Sequence, residues 1–385
     1  MRLMTGLMTG VALATAAKAQ PGDVNSIDIR VVRVPDQNTL ELQLRPNNTW
    51  TFDDGVMNLT FAIRWESSAG GSLGMPSQDA PISSCMVATP LVLNPGTDNV
   101  LNNYDAGDGY RYRGFNAVGG QMDGSCSFPA NTWVPYARVP VLGISDCATF
   151  EVVATSAHTT AYNSNWFISL GGVNITAASD VVGPGVTIGP APATGSYGPV
   201  CSTGDPVSLN GGVPAGGTWS GTGVVDNEFY PAVGQGTYTL VYGVDGGGCI
   251  GYASTNIVVQ QPPTAANAGT DQTVCASSTA LNASPVFVGT GMWSVISGSG
   301  DFADPTVRNT TVSDLSVGDN VFLWTTSNGS CPTSQDEVTI TRQEATVWYA
   351  DADGDGRGNA AVSQMACTQP TGYVADNTDC DDTDP

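Results

Sequence analysis

The sequence has one histidine and one lysine in 385 residues. A lone imidazole, His158, leaves no partner to complete a histidine-based zinc signature. No nucleophile elbow or phosphate-cradling loop is present to offer a different chemistry. His158 lies in Ala157-His158-Thr159-Thr160, a polar turn after a strand, and reads as an ordinary surface histidine. Cations are scarce in general, with 12 Lys and Arg against 35 Asp and Glu. Nucleic acid and anionic lipid are repelled by such a surface. Leu-rich and Lys/Glu-rich helical patterning is missing too, and no apolar run is long enough to span a bilayer. In their place stand 47 Gly and 24 Pro among many Thr, Val and Asn, a composition of short strands and frequent turns.

Residues 1–19 read as an export signal, with Arg2 as the basic start, Met4 to Ala16 as the apolar run and Ala17-Lys18-Ala19 as the small-x-small cleavage site. Removing Arg2 and Lys18 leaves 10 cations against 35 anions, a formal charge of −25. The product is secreted or held at the cell surface. Nine cysteines in an exported chain read first as disulfides. Composition blocks suggest Cys201 with Cys249, Cys275 with Cys331 and Cys367 with Cys380, each pair inside its own block. If 84–92 and 109–116 are adjacent strands, Cys85 joins Cys126 and Cys147 is left free. Spacing alone does not encode connectivity.

From Asn25 to about Val182 apolar and polar residues alternate, as in Thr39-Leu40-Glu41-Leu42-Gln43-Leu44-Arg45 and Asn58-Leu59-Thr60-Phe61-Ala62-Ile63-Arg64-Trp65. Met86 to Val92, Tyr110 to Phe115, Tyr136 to Leu142, Thr149 to Val153 and Trp166 to Leu170 continue the series. Eight or nine such strands predict a two-sheet sandwich. With landmarks at Trp65, Phe115 and Phe167-Ile168-Ser169-Leu170-Gly171-Gly172, it resembles the cohesin and carbohydrate-binding sandwiches of secreted bacterial proteins. Gly183-Pro184-Gly185 and Gly189-Pro190-Ala191-Pro192-Ala193 follow, and predict a semi-stiff linker.

Two further blocks repeat each other. Cys201 precedes Trp219 by 18 positions, and Cys275 precedes Trp293 by 18. Gly236 and Tyr242 stand 13 and 7 before Cys249, as Gly318 and Trp324 stand before Cys331. A shared register at four landmarks marks an internal repeat. With Gly216-Gly217-Thr218-Trp219-Ser220-Gly221-Thr222-Gly223-Val224, these blocks resemble immunoglobulin-like or PKD-like modules of large Bacteroidota surface proteins. The Cys-to-Trp spacing is longer than in antibody domains. The expected layout is a signal over 1–19, a sandwich over 24–182, a linker over 183–199, Ig-like domains over 200–260 and 264–343, and an Asp-rich repeat over 346–385. The class is all-β: tandem β-sandwiches followed by an irregular acidic metal-binding segment.

That last segment begins Trp348-Tyr349-Ala350-Asp351-Ala352-Asp353-Gly354-Asp355-Gly356-Arg357-Gly358-Asn359. A turn pivoting on Gly354 and Gly356 can aim Asp351, Asp353 and Asp355 at one centre, and hard oxygens suit calcium. Loop position twelve of an EF-hand would be Val362 and no amphipathic helix flanks the loop, so that motif is disfavoured. A second acidic run, Asp376-Asn377-Thr378-Asp379-Cys380-Asp381-Asp382, ends near Pro385. With Cys367 and Pro370-Thr371-Gly372-Tyr373-Val374, the block resembles the secreted bacterial MopE-type repeat, a relative of thrombospondin type 3 calcium repeats. The candidate metal residues are Asp351, Asp353, Asp355, Arg357, Asp376, Asp379, Asp381 and Asp382. Copper is a distant alternative, since only Met365, Trp348 and His158 offer softer donors.

Two readings of function follow. In the first, this is a non-enzymatic extracellular protein with no nucleic-acid or membrane-inserted partner, for adhesion or for binding a glycan or protein. Tyr104, Tyr110, Tyr112 and Trp133 are its candidate contact residues. In the second, these are accessory binding and spacer modules of a larger secreted hydrolase whose catalytic domain lies outside this chain. Asp105 and Asp108 are the clustered carboxylates outside the tail on which a third, glycosidase reading would rest.

Overall fold

A computed structural model describes residues 24–51, 57–78, 94–120 and 127–379. Among them the protein is all-β, built as tandem β-sandwich modules, with one short α-helix at Ala157–Ala161. The chain divides into two compact units, one of Met1–Gly195, Leu209–Ser220 and Val241–Thr255 and one of Ser196–Ser208, Gly221–Leu240 and Asn256–Pro385.

The alternation read from the first 180 residues is the alternation of burial. Ile27, Ile29 and Val31 of strand Ile27–Arg33 point inward, as do Leu40, Leu42 and Leu44 of Thr39–Pro46. These strands pair in a four-stranded sheet of spatial order Ile27–Arg33, Thr39–Pro46, Val134–Ile144, Gly70–Leu73. The facing sheet is centred on Met57–Glu66, which pairs with Tyr110–Gly120, Ala148–Val153 and Phe167–Leu170. Leu59, Phe61, Ile63 and Trp65 from that central strand fill the space between the sheets. Each large side chain so removed from water contributes about 1.5–3 kcal/mol. Trp65 stacks on Phe150 at 5.5 Å and Phe61 on Phe115 at 5.3 Å. The expected strand Met86 to Val92 lies outside the described residues.

Residues 183–199 are less linker-like than their Gly and Pro content predicts. Val186–Ile188 forms one more strand, pairing with Ala148–Val153, and Ile188 is fully buried in the sandwich core. Two β-branched residues around Thr187 are enough to add an edge strand between glycines. Gly189 N–H then donates to the Ile250 carbonyl at 3.0 Å.

The repeats are two copies of one fold. In the second copy a four-stranded sheet runs Gln272–Val274, Ser334–Arg342, Gly318–Ser327, Thr290–Ser297, and a three-stranded sheet runs Thr279–Ala280, Thr311–Ser313, Asp301–Phe302. In the first copy the four-stranded order is Val200–Cys201, Ile250–Gln260, Gly236–Asp245, Thr218–Ser220. Both begin with a short strand lying parallel to the last one. Trp293 lies opposite Trp324 with ring centroids 5.0 Å apart, and Trp219 lies opposite Tyr242 at 4.8 Å. The shared spacing in the sequence is therefore a shared cross-strand aromatic pair.

The disulfides overturn the expected pairing. Among the described residues they are Cys147–Cys249, Cys201–Cys331 and Cys275–Cys367. Cys201 does not pair with Cys249, Cys275 does not pair with Cys331, Cys367 does not pair with Cys380, and Cys147 is not free. The reason lies in strand direction. Cys275 follows Gln272–Val274, whose parallel register sets Val274 against Arg342 at the end of Ser334–Arg342, whereas Cys331 precedes the start of that strand. At ~3.3 Å per residue the two thiols face opposite ends of a strand roughly 30 Å long. Cys201, in register with Gln260, is likewise a full strand from Cys249. Each cysteine instead finds one at its own end. Cys85, Cys126 and Cys380 lie outside the described residues.

Candidate metal centre

The acidic segment, expected to be irregular, contains a three-stranded antiparallel sheet of spatial order Asn359–Ala366, Thr346–Ala350, Tyr373–Val374. Residues 351–358 are the connection between its first two strands in sequence, so strands and not helices flank the acidic loop. Gly354 and Gly356 take φ of +82° and +88°, a region open to glycine at little cost. Their N–H groups donate to the two oxygens of Asp351, at 2.8 and 3.2 Å. Asp355 N–H donates to Asp353 at 3.1 Å, and Arg357 N–H to Asp355 at 2.7 Å. Each aspartate thus fixes the loop with backbone hydrogen bonds while keeping lone pairs free.

Oxygens of Asp351, Asp353 and Asp355 lie within 4.8 Å of one another. Calcium holds its ligands at about 2.3–2.6 Å, so oxygens on opposite sides of one ion stand roughly 5 Å apart. The loop carboxylates therefore fit around a single ion of that size. Asp353 is the most constrained of them. Its Oδ2 is buried and accepts no hydrogen bond. Burial, and then the charges of Asp355, Asp379 and Asp351, push its carboxyl above the usual range. A cation at this point would relieve both causes.

Asp379 comes from the second acidic run, and the fold brings it here through the backbone. Gly358 N–H donates to the Asp376 carbonyl at 3.1 Å, and Asp379 N–H to the Gly358 carbonyl at 3.3 Å. The loop is anchored at its other end by Asp351 N–H donating to the Gly372 carbonyl at 2.9 Å. Gly358 carries no distinguishing signal in the sequence, one of two glycines in Asp355-Gly356-Arg357-Gly358. It is buried, and a Cβ there would stand 2.6 Å from Tyr349 Cβ and 2.8 Å from the Asp376 oxygen.

Asp376 is exposed, and its carboxyl is lowered by the Thr378 hydroxyl and N–H, with help from the charge of Arg357. A guanidinium has no lone pair for a cation, so Arg357 could ligate only through its main-chain oxygen. Asp381 and Asp382 lie outside the described residues. Of the softer donors, Met365 is exposed on strand Asn359–Ala366, and the Trp348 indole N–H donates to the Ala366 carbonyl at 3.0 Å.

The candidate contact residues of the N-terminal sandwich separate into two kinds. Tyr112 is fully buried, its hydroxyl donating to Asp108 at 2.9 Å, so it cannot offer a face to a ligand. Trp133 is covered by Arg30 and Arg45 at 4.3 and 4.6 Å, and Tyr110 by Arg64 at 4.3 Å. Tyr104 remains exposed. Its ring stacks on His158 at 5.7 Å, and His158 also touches Tyr112 and Tyr162. This histidine is therefore not the ordinary surface residue of the sequence reading. It is half-buried on the short helix, with Nε2 2.8 Å from the Val100 carbonyl. Exposed Tyr162, whose ring centroid is 4.9 Å from that of His158, carries no signal in the sequence beyond its aromaticity. Asp105 and Asp108 are tied into their own turn by Gly107 and Tyr110 N–H groups, and the Asp105 carboxyl is held low chiefly by the Gly107 bond. A proton-donating acid needs its carboxyl shifted the other way.

No family model matches the chain, and no curated protein matches it in sequence. Among solved structures, the sixth cohesin of scaffoldin B from Acetivibrio cellulolyticus, in complex with a Cel5 dockerin, is 8% identical, with 43% of this chain and 98% of that chain covered and a TM-score of 0.24. The titin fragment I67–I69 is 10% identical, with coverages of 82% and 98% and a TM-score of 0.24. Extracellular domains 3–5 of Drosophila OTK are 10% identical, with coverages of 82% and 97% and the same TM-score. Likenesses of this strength carry no inference about function.

Proposed function

We propose that this is an exported, modular binding protein whose N-terminal sandwich recognises a partner and whose C-terminal segment is ordered by calcium. One observation carries the calcium reading: acidic runs separated by more than twenty residues are laid side by side, with Oδ2 of the half-buried Asp353 enclosed and without a hydrogen bond, and with the charges of Asp355, Asp379 and Asp351 acting on that carboxyl. Like charges packed this way oppose folding of the segment until a cation neutralises them. All-oxygen donors of this kind favour calcium over copper. The three disulfides support an oxidising, extracellular location.

For recognition, the exposed rings of Tyr104 and Tyr162 flanking His158 support an aromatic platform of the kind that sugar rings or peptide side chains dock against. The module would act by contact and without catalysis. Hydrogen exchange tests the calcium half: residues 346–379 exchange at least ten times more slowly in calcium than in chelator. Equal exchange in both would overturn it. A glycan and matrix-protein array probed with the exported chain tests the other half, with signal lost in Tyr104→Ala.

A further inference from the structure

The disulfide connectivity has a mechanical consequence that does not depend on any ligand. The three closed loops overlap in series: Cys201 lies inside the loop closed by Cys147–Cys249, and Cys275 inside the loop closed by Cys201–Cys331. We propose that residues 147–367 form a tether of covalently capped length, which passes a pulling force along residues 249–275 alone and leaves the remaining strands of both repeat modules off the loaded path.

The route of the force follows from the bonds. Tension arriving at Cys147 crosses to Cys249, runs along the chain to Cys275, and crosses to Cys367. Only the 26 residues from 249 to 275 are pulled. Fully extended they span about 90 Å, against about 760 Å for the 220 residues from 147 to 367 without bonds. The aromatic pairs Trp219–Tyr242 and Trp293–Trp324 lie inside the bypassed loops. The middle bond, Cys201–Cys331, is slack while the outer two are intact, because its own route is longer. It becomes the second route when an outer bond is lost, then limiting the stretched path to 90 residues without Cys147–Cys249, or 84 without Cys275–Cys367.

Pairing inside each module, Cys201 with Cys249 and Cys275 with Cys331, would build a different device. Residues 147–201, 249–275 and 331–367 would then all be pulled, and breaking those two bonds would lengthen the chain. The two designs separate in one set of variants.

Single-molecule force extension of the exported chain, with handles at its termini, tests this. Oxidised Cys201→Ser/Cys331→Ser reaches the same full extension as wild type. Oxidised Cys147→Ser/Cys249→Ser is longer by about 220 Å, and Cys275→Ser/Cys367→Ser by about 200 Å. Peptide mapping without reductant checks that the remaining bonds have formed in each variant. Wild type gives a second reading that needs no substitution: dithiothreitol lengthens the fully extended molecule by at least about 670 Å. A clear lengthening of the Cys201/Cys331 variant, or a smaller gain on reduction of wild type, overturns the proposal.

Discussion

Gly358 donates its backbone N–H to the carbonyl of Asp376, and through this contact the second acidic run is held against the first. The position tolerates no side chain, because a Cβ would press on the Tyr349 Cβ and on the Asp376 oxygen itself, both under 3 Å away. Gly358→Ala must push the two runs apart. Overpacking of this kind costs about 1–3 kcal/mol. The variant is expected to bind calcium at least tenfold more weakly, while Gly354→Ala, whose Cβ meets open space, suffers only from its left-handed backbone. Calcium titrations of the two variants compare the effects.

Asp353→Asn separates repulsion from coordination. Without metal, the substitution removes one of a group of mutually repelling carboxylates, so the segment should resist protease at residues 345–379 slightly better than wild type. With calcium present the order reverses, since the buried charge that the ion neutralises is gone. Limited proteolysis in calcium and in chelator reads both signs. The same order in both conditions would contradict the reading.

How much of this the sequence displayed depends on what each residue does. Leu40, Leu42 and Leu44 announce their face because a strand has a two-residue period and one side is buried. Trp219 and Trp293 announce the repeat because their cross-strand partners sit at a constant distance from the following cysteine. Connectivity of the cysteines was invisible for the same reason: a repeat places equivalent thiols at equivalent positions, and pairing within or between copies fits the spacing equally. Only the parallel register of the first strand decides between them. Val186–Ile188 was hidden by its glycine and proline neighbours. Gly358 was hidden by two other glycines whose left-handed turns are the more obvious use of that residue.

Two tyrosines in the N-terminal sandwich should behave oppositely. Tyr112→Ala empties a fully buried site and is expected to cost about 3–5 kcal/mol, visible as a lower melting temperature. Tyr104→Ala, at an exposed position, should leave stability within about 0.5 kcal/mol and abolish partner binding. Thermal melts beside the binding array distinguish the two.

The paired indoles of the second repeat lie on adjacent strands of its four-stranded sheet and fill the core beneath it. Trp293→Ala or Trp324→Ala should each cost about 3–5 kcal/mol, and the double variant less than their sum because the rings touch. Chemical denaturation followed by tryptophan fluorescence gives the coupling.

The central claim is that the clustered aspartates at the C-terminal end are a calcium site. Isothermal calorimetry of calcium into the chelator-stripped chain tests it most directly, with Asp353→Asn as the comparison. The account predicts a saturable heat for wild type that Asp353→Asn loses or weakens at least tenfold. No saturable heat in wild type, or the same heat in both, would contradict it.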